Sequence, residues 1–230
     1  MKTTGGVEDA HRARRPRLRD GARAAAPLGI AVATFGASFG VLARSAGFGP
    51  VAPIVMSLTT FGGSAQFAAV AIISTGGGAV AAVTAAVLLN ARYGPIGLSV
   101  APALRDSLWR RALLAQLVVD ESWAIGHRGG RIDRNLLLGA GVVMYAAWLV
   151  GTVAGVIGGD LLGDPQRLGL DAAFPALFLG LLIPQLRSRR ALTAAILGGG
   201  IALTLIPFTR PGIPIIAAAA ACLVGWWRRP

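Results

Sequence analysis

Charge is what this sequence has least of. Only 14% of its 230 residues are Asp, Glu, Lys or Arg, against about a quarter in an ordinary soluble domain. A single cysteine, Cys222, excludes an intrachain disulfide and a cysteine-built metal cluster. In its Leu- and Ala-rich run it reads as a small buried apolar residue. The two histidines, His11 and His127, fall in a tail and a loop, so neither a metal site nor a catalytic triad can be centred on them. Lys2 is the only lysine, and without a GxxxxGK[ST] motif the chain lacks that route to ATP hydrolysis. No cofactor and no enzymatic activity are expected.

What is present is apolar sequence and glycine. Hydrophobic residues make up 54%, mean hydropathy is +0.65, and there are 32 glycines. The runs 24–43, 51–75, 136–159 and 191–209 contain no Asp, Glu, Lys or Arg. Each is long enough to cross roughly 30 Å of hydrocarbon at about 1.5 Å per residue. Further apolar segments lie at 79–104, 112–126, 172–186 and 211–227. The predicted fold is an all-α polytopic membrane protein of six to eight membrane segments, two of them broken or re-entrant. Residues 1–23 read as a basic cytoplasmic tail, expected to be disordered, and 24–230 as one transmembrane transporter domain. The first apolar run is too long for the core of a signal peptide and reads as a retained span.

The net charge of +12 and pI of 11.7 raise nucleic-acid binding as a first thought. The placement of the arginines argues against it. Arg12, Arg14, Arg15, Arg17, Arg19 and Arg23 precede the first apolar run, and the others, Arg92 apart, sit in short connectors, as topology signals do. The lipid bilayer, with anionic headgroups beside the tail, is the expected partner. This pattern predicts a bacterial plasma-membrane protein with both termini cytoplasmic, and an outer connector bearing Asp160, Asp164 and Asp171.

Eight full spans would place Arg105, Arg110 and Arg111 on the opposite face from Arg128, Arg131 and Arg134. A dip into the membrane by 112–126 keeps both clusters inside, and as a helix that segment reaches only about 22 Å. Six spans with two broken or re-entrant elements satisfy the charges better.

Three constellations carry candidate chemistry. In Phe61-Gly-Gly-Ser-Ala-Gln-Phe67, Gly62 and Gly63 each disfavour a helix interior by about 1 kcal/mol. A break there would aim a half-helix N-terminus at the membrane centre, where such ends receive carboxylates. Ser64 and Gln66 would add polar contacts. The alternative is that the glycines permit close helix packing and Gln66 bonds a neighbouring helix. In Asn90-Ala-Arg92-Tyr93, Arg92 would either attract a carboxylate or pair with Asp120 or Glu121; the alternative is snorkelling to the interface, with Tyr93 as a belt residue. Asp120-Glu121 interrupts an apolar run, where ionised groups are expensive and usually functional. One of the two would meet an ammonium group or a proton, or would belong to a structural ion pair at a cytoplasmic helix end. Asp171 reads as a helix cap.

Phe35-Gly-Ala-Ser-Phe-Gly40, Met56-Ser57, Gly62-Gly-Ser-Ala-Gln66, Leu89-Asn-Ala-Arg-Tyr-Gly94, Asp120-Glu-Ser-Trp-Ala124 and Gly169-Leu-Asp171 occur in order. Together they resemble the AzlC family, the large subunit of branched-chain amino acid exporters. The resemblance runs from about residue 27 to 186. It implies secondary export of valine, leucine, isoleucine or methionine across the inner membrane, with a small AzlD-type membrane subunit as partner. Where the family pattern has Asn-Leu-Arg-His, this chain has Asn90-Ala-Arg92-Tyr93, so the titratable histidine is missing. Of another class, a passive channel or a membrane assembly module without transport of its own remains a rival.

Overall fold

A computed structural model of the protein describes residues 16–91, 93–128, 131–161, 188–209 and 213–221, with positions 179, 182, 183 and 186. Arg92, Asp171 and Cys222 lie outside the described residues, as does most of the segment 172–186. The architecture is helical, with one small ribbon pairing His127–Arg128 antiparallel to Arg131–Ile132.

Two long helices frame it: α1 over Leu18–Ser45 and α8 over Arg134–Leu161. Among the described residues these are the two helices long and apolar enough to cross a membrane. The N–H of Arg17 donates to Asp20 at 2.8 Å, so Leu18–Arg23, read from sequence with the tail, form the first turns of α1. Asp133 caps α8 by accepting from the N–H groups of Asn135 and Leu136 at 2.9 and 3.0 Å.

The two helices run parallel, since Gly21 lies against Leu136, Gly36 against Trp148 and Gly40 against Thr152. Contact is backbone to backbone. A Cβ on Gly36 would come 2.5 Å from the Trp148 carbonyl oxygen, and those on Gly151 and Gly155 would run into the carbonyls of Ala33 and Ala37. Without a hydrophobic drive between helices in lipid, this closeness is what holds such a pair. One end of the frame carries Arg17, Arg19, Arg23, Arg128, Arg131 and Arg134, and is called the Arg-rich end below; residues 40–50 and 155–159 mark the far end.

Two helix hairpins enter the bundle from opposite ends. In the first, α2 (Val51–Thr59) runs from the far end to the level of Tyr145 and Trp148. The chain breaks at 60–62, and α3 (Gly63–Ser74) returns, with Val70 packed against Leu42 and Ala43. In the second, α6 (Leu108–Ala115) starts at the Arg-rich end and breaks at 116–119 beside Gly141, Ala140 and Met144. Then α7 (Asp120–Gly126) returns until Gly126 meets Leu137.

Between the hairpins, α4 (Ala79–Asn90) and α5 (Tyr93–Val100), extended by a tight turn over Ala101–Ala103, traverse the bundle with a 46° bend. Ala82 and Ala85 pack on Ile72 near the far end, and Val100 and Leu104 pack on Leu137 and Leu138 at the other. Counted as one bent span, this pair is the third candidate crossing. Toward the C-terminus, α9 (Arg189–Leu205) and α10 (Ile213–Ala218) pack together, and α10 touches α4.

Candidate substrate site

The break after α2 leaves its last carbonyls without partners in the helix, a deficit at any helix end. Two side chains make it good. Tyr145 Oη donates to the Leu58 carbonyl and Gln116 Nε2 donates to the Thr59 carbonyl, both at 2.8 Å. The second bond joins the tips of the two hairpins. Behind the break sits a buried polar cluster. Ser57 Oγ accepts from Trp148 Nε1 and Gln66 Nε2, each at 3.1 Å, and lies 2.9 Å from Thr152 Oγ1. Thr152 donates to the Trp148 carbonyl at 2.9 Å, so the proton between the two hydroxyls comes from Ser57. Gln66 Oε1 is buried with no hydrogen-bond partner, in a residue only 1% exposed.

Both glycines of the tip are tightly enclosed. A Cβ on Gly62 would come 2.9 Å from Asn90 Oδ1, and one on Gly63 would come 2.8 Å from Trp148 Cη2. The indole is itself held by Phe39, Phe61 and Phe67, with ring centroids 5.9, 6.3 and 6.3 Å away. The break and the close packing, separate readings of Gly62-Gly63 from sequence, therefore occur together.

Two clefts flank the hairpin tips. The central one, about 470 Å³, is lined by Phe61, Gly63, Ser64, Tyr93, Asp120, Glu121, Met144 and Trp148, among others. The second, about 580 Å³, lies toward the Arg-rich end and includes Thr59, Asn90, Leu104, Arg111 and Gln116 in its walls. Phe61 and Tyr93 line both. Asp120 and Glu121 occupy the first turn of α7, where the helix dipole favours anions. Asp120 is half-buried and Glu121 exposed. Ser122 Oγ accepts from the Val119 N–H at 2.9 Å, which fixes the start of that helix.

The structure thus brings Gly63, Ser64, Asp120 and Glu121 to one cavity. Gln66 turns away from it into the Ser57 cluster, Gly62 packs on Asn90, and Asn90 lines the second cleft. The expected pairing of Arg92 with Asp120 or Glu121 falls on a residue outside the described ones. Tyr93, read as a belt residue in one alternative, lies mid-bundle between the clefts. Sequence reasoning singled out neither Gln116, Tyr145, Trp148 nor Thr152. Polar groups of these kinds occur throughout apolar spans, so only Gln116, beside the acidic pair in the same run, carried any signal.

Asp106, at the base of the second hairpin, pairs with Arg134 at 2.6 Å. The hydrogen bond from Arg134 holds its carboxyl below the usual carboxylate range, aided by the charges of Arg134 and Arg110 against partial desolvation.

The profile of the AzlC protein family matches residues 27–162, which take in most of the frame and both hairpins. The chain belongs to the AzlC family. It is 33% identical over 211 residues to an uncharacterized membrane protein of Archaeoglobus fulgidus, covering 87% of this chain and 90% of the relative. It is 25% identical over 172 residues to the branched-chain amino acid transport protein AzlC of Bacillus subtilis, covering 73% of this chain and 67% of that one. An uncharacterized membrane protein of Helicobacter pylori is 25% identical over 155 residues, covering 65% and 67%. No solved structure matches the chain. Family membership and the Bacillus relative support a role in membrane transport.

Proposed function

We propose that this AzlC protein is a secondary transporter subunit that exports the branched-chain amino acids valine, leucine and isoleucine, with methionine as a further substrate. The observation that carries this reading is the central cavity formed where two opposed hairpins meet. Its 470 Å³ falls in the usual range of small-ligand sites, about 300–1,000 Å³. Aromatic and aliphatic walls suit a branched side chain, while Ser64 and the start of α3 offer donors to a carboxylate. Asp120 or Glu121 meets the ammonium group. Arg92, two residues past the end of α4, tunes the charge of the same region.

With the Arg-rich end in the cytoplasm, as arginine placement favours, α2–α3 is a re-entrant element from outside and α6–α7 one from inside. The two arginine clusters at 105–111 and 128–134 then share one face, and the Asp106–Arg134 pair supports that arrangement. Operation with a small AzlD-type subunit follows from the family resemblance. The test is efflux of labelled valine from preloaded cells with and without this chain and its small partner. Saturable efflux requiring both is expected. Flux that rises linearly without saturation marks a channel, and no flux above background removes the transport reading.

A further inference from the structure

Positive charge gathers where the second hairpin leaves the bundle. From Ala101 to Val119 the chain carries Arg105, Arg110 and Arg111 against one carboxylate, Asp106, which is taken up by Arg134 at 2.6 Å. All three arginines are exposed, and among the described residues no carboxylate pairs with them. Trp109, 73% exposed, lies beside them in the first turn of α6. Indole rings settle at headgroup depth in a bilayer. The cleft of about 580 Å³ opens at the same place. Val100 and Leu104, both buried, form its apolar floor, and Leu108, Arg111, Ala112 and Ala115 of α6 form an exposed rim. The eight residues of α6 rise about 12 Å, so the cleft runs from the Arg111 guanidinium toward mid-bundle along largely apolar walls. A soluble anion would leave that floor uncovered, and an uncharged lipid would leave the arginines unpaired. An amphiphile with an anionic head and an aliphatic tail matches both.

We infer that this cleft holds one anionic phospholipid of the surrounding bilayer. Its phosphate sits on Arg111, with Arg105 and Arg110 around the headgroup, and one acyl chain lies over Val100 and Leu104. No residue of α6 is buried against the protein, and the lipid supplies the packing that this helix lacks. The inference requires only that the chain sits in a membrane, and it does not depend on which solute the central cavity takes.

Spin-labelled phosphatidylglycerol and phosphatidylcholine, each added in trace to phosphatidylcholine vesicles holding the full chain, test this through the motionally restricted lipid fraction. Phosphatidylglycerol should be held clearly in preference to phosphatidylcholine. Arg111→Gln should cut that preference about fivefold, the effect of one arginine beside an anionic headgroup. Ala112→Phe, which fills the cleft without changing charge, should lower it as well. Arg19→Gln, exposed at the same end but outside the cleft, should leave it unchanged. Equal association of the two lipids with the native protein overturns the site. So does a loss in Arg19→Gln as large as that in Arg111→Gln, which marks only the general potential of the Arg-rich end. Loss of the preference when a small partner subunit is reconstituted with the chain assigns the cleft to that subunit and overturns lipid as its occupant.

Discussion

The two hairpins meet tip to tip, but they are held in different ways. Near its tip, α2–α3 is fastened to α8 through Ser57, Thr152, Trp148 and Tyr145. Its inner face is sealed, with Gln66 and Phe67 each 1% exposed. The ties of α6–α7 run to its base, through Asp106 and Arg134, and to its neighbours, through Gln116 to α2 and Trp123 Nε1 to Ser99 of α5. No residue of α6 is buried, and Leu108 and Trp109 are 82% and 73% exposed. Elements with few buried contacts open at low free energy. Within the second hairpin, α7 packs on α8 through Val119 and Gly126, so the difference assigns the first hairpin and α7 to the fixed wall of the cavity and α6 to the part that can be displaced.

The largest effect expected from breaking this contrast is at Ser57. Ser57→Ala strands the buried donors of Trp148 and Gln66, at about 1–3 kcal/mol each. The melting temperature in detergent should fall clearly; an unchanged value would mean the hairpin is fixed by other contacts. Next comes Gly63→Ala, whose new methyl group must push the packed Trp148 ring, with an overpacking cost of about 1–3 kcal/mol. Valine affinity at the central cavity should drop while the protein still inserts. Gln116→Leu removes one hydrogen bond at the tip of the looser hairpin, near 1 kcal/mol by the usual measure of about 0.5–1.5. Here transport rate should change more than melting temperature, and a fall in stability matching that of Ser57→Ala would erase the distinction.

The smallest effect is at the base of the second hairpin. Because the Asp106 carboxyl is held below its ordinary value, the tie to Arg134 is fully present at neutral pH. It is lost as pH falls below the ordinary carboxylate range and through the lowered value. Limited proteolysis at 107–119 should therefore quicken on acidification in the native protein and be flatter with pH in Asp106→Asn. Equal acid sensitivity in both would show that the pair does not hold the base.

Sequence made some of these features visible for plain reasons. Two adjacent glycines are poor helix formers, so the break beside Gly62-Gly63 could be read directly. The shortness of 112–126 and the arginines on either side of it pointed to an element that turns back. The break at 116–119 was not visible as such, because Gln116-Leu-Val-Val119 contains neither glycine nor proline and continues the apolar pattern. It depends on tertiary contacts, with the Leu117 carbonyl seated over Gly141 and Ser122 capping the new start. For the same reason, nothing local to Asn90 shows that it lines a different cleft from Ser64. Nothing in the sequence marks the glycines at 36, 40, 151 and 155 as the seam between α1 and α8, since any small-residue face can serve any other.

The parallel seam between α1 and α8 also bears on the order of assembly. At roughly 5–20 residues per second, α1 waits on the order of ten seconds for its partner. In that interval both hairpins have been made, but Thr152, Trp148 and Tyr145 have not. Until α8 arrives, the broken end of α2 has Gln116 for its Thr59 carbonyl but lacks the Tyr145 donor for Leu58 and the Trp148 and Thr152 partners of Ser57, so the hairpin α2–α3 cannot settle fully in the lipid. Glycine and alanine in the seam have no rotamers to sort, which lets the late helix dock by backbone shape alone. Ribosome-bound chains halted before Arg134 should hold α1 in the membrane and the first hairpin unformed.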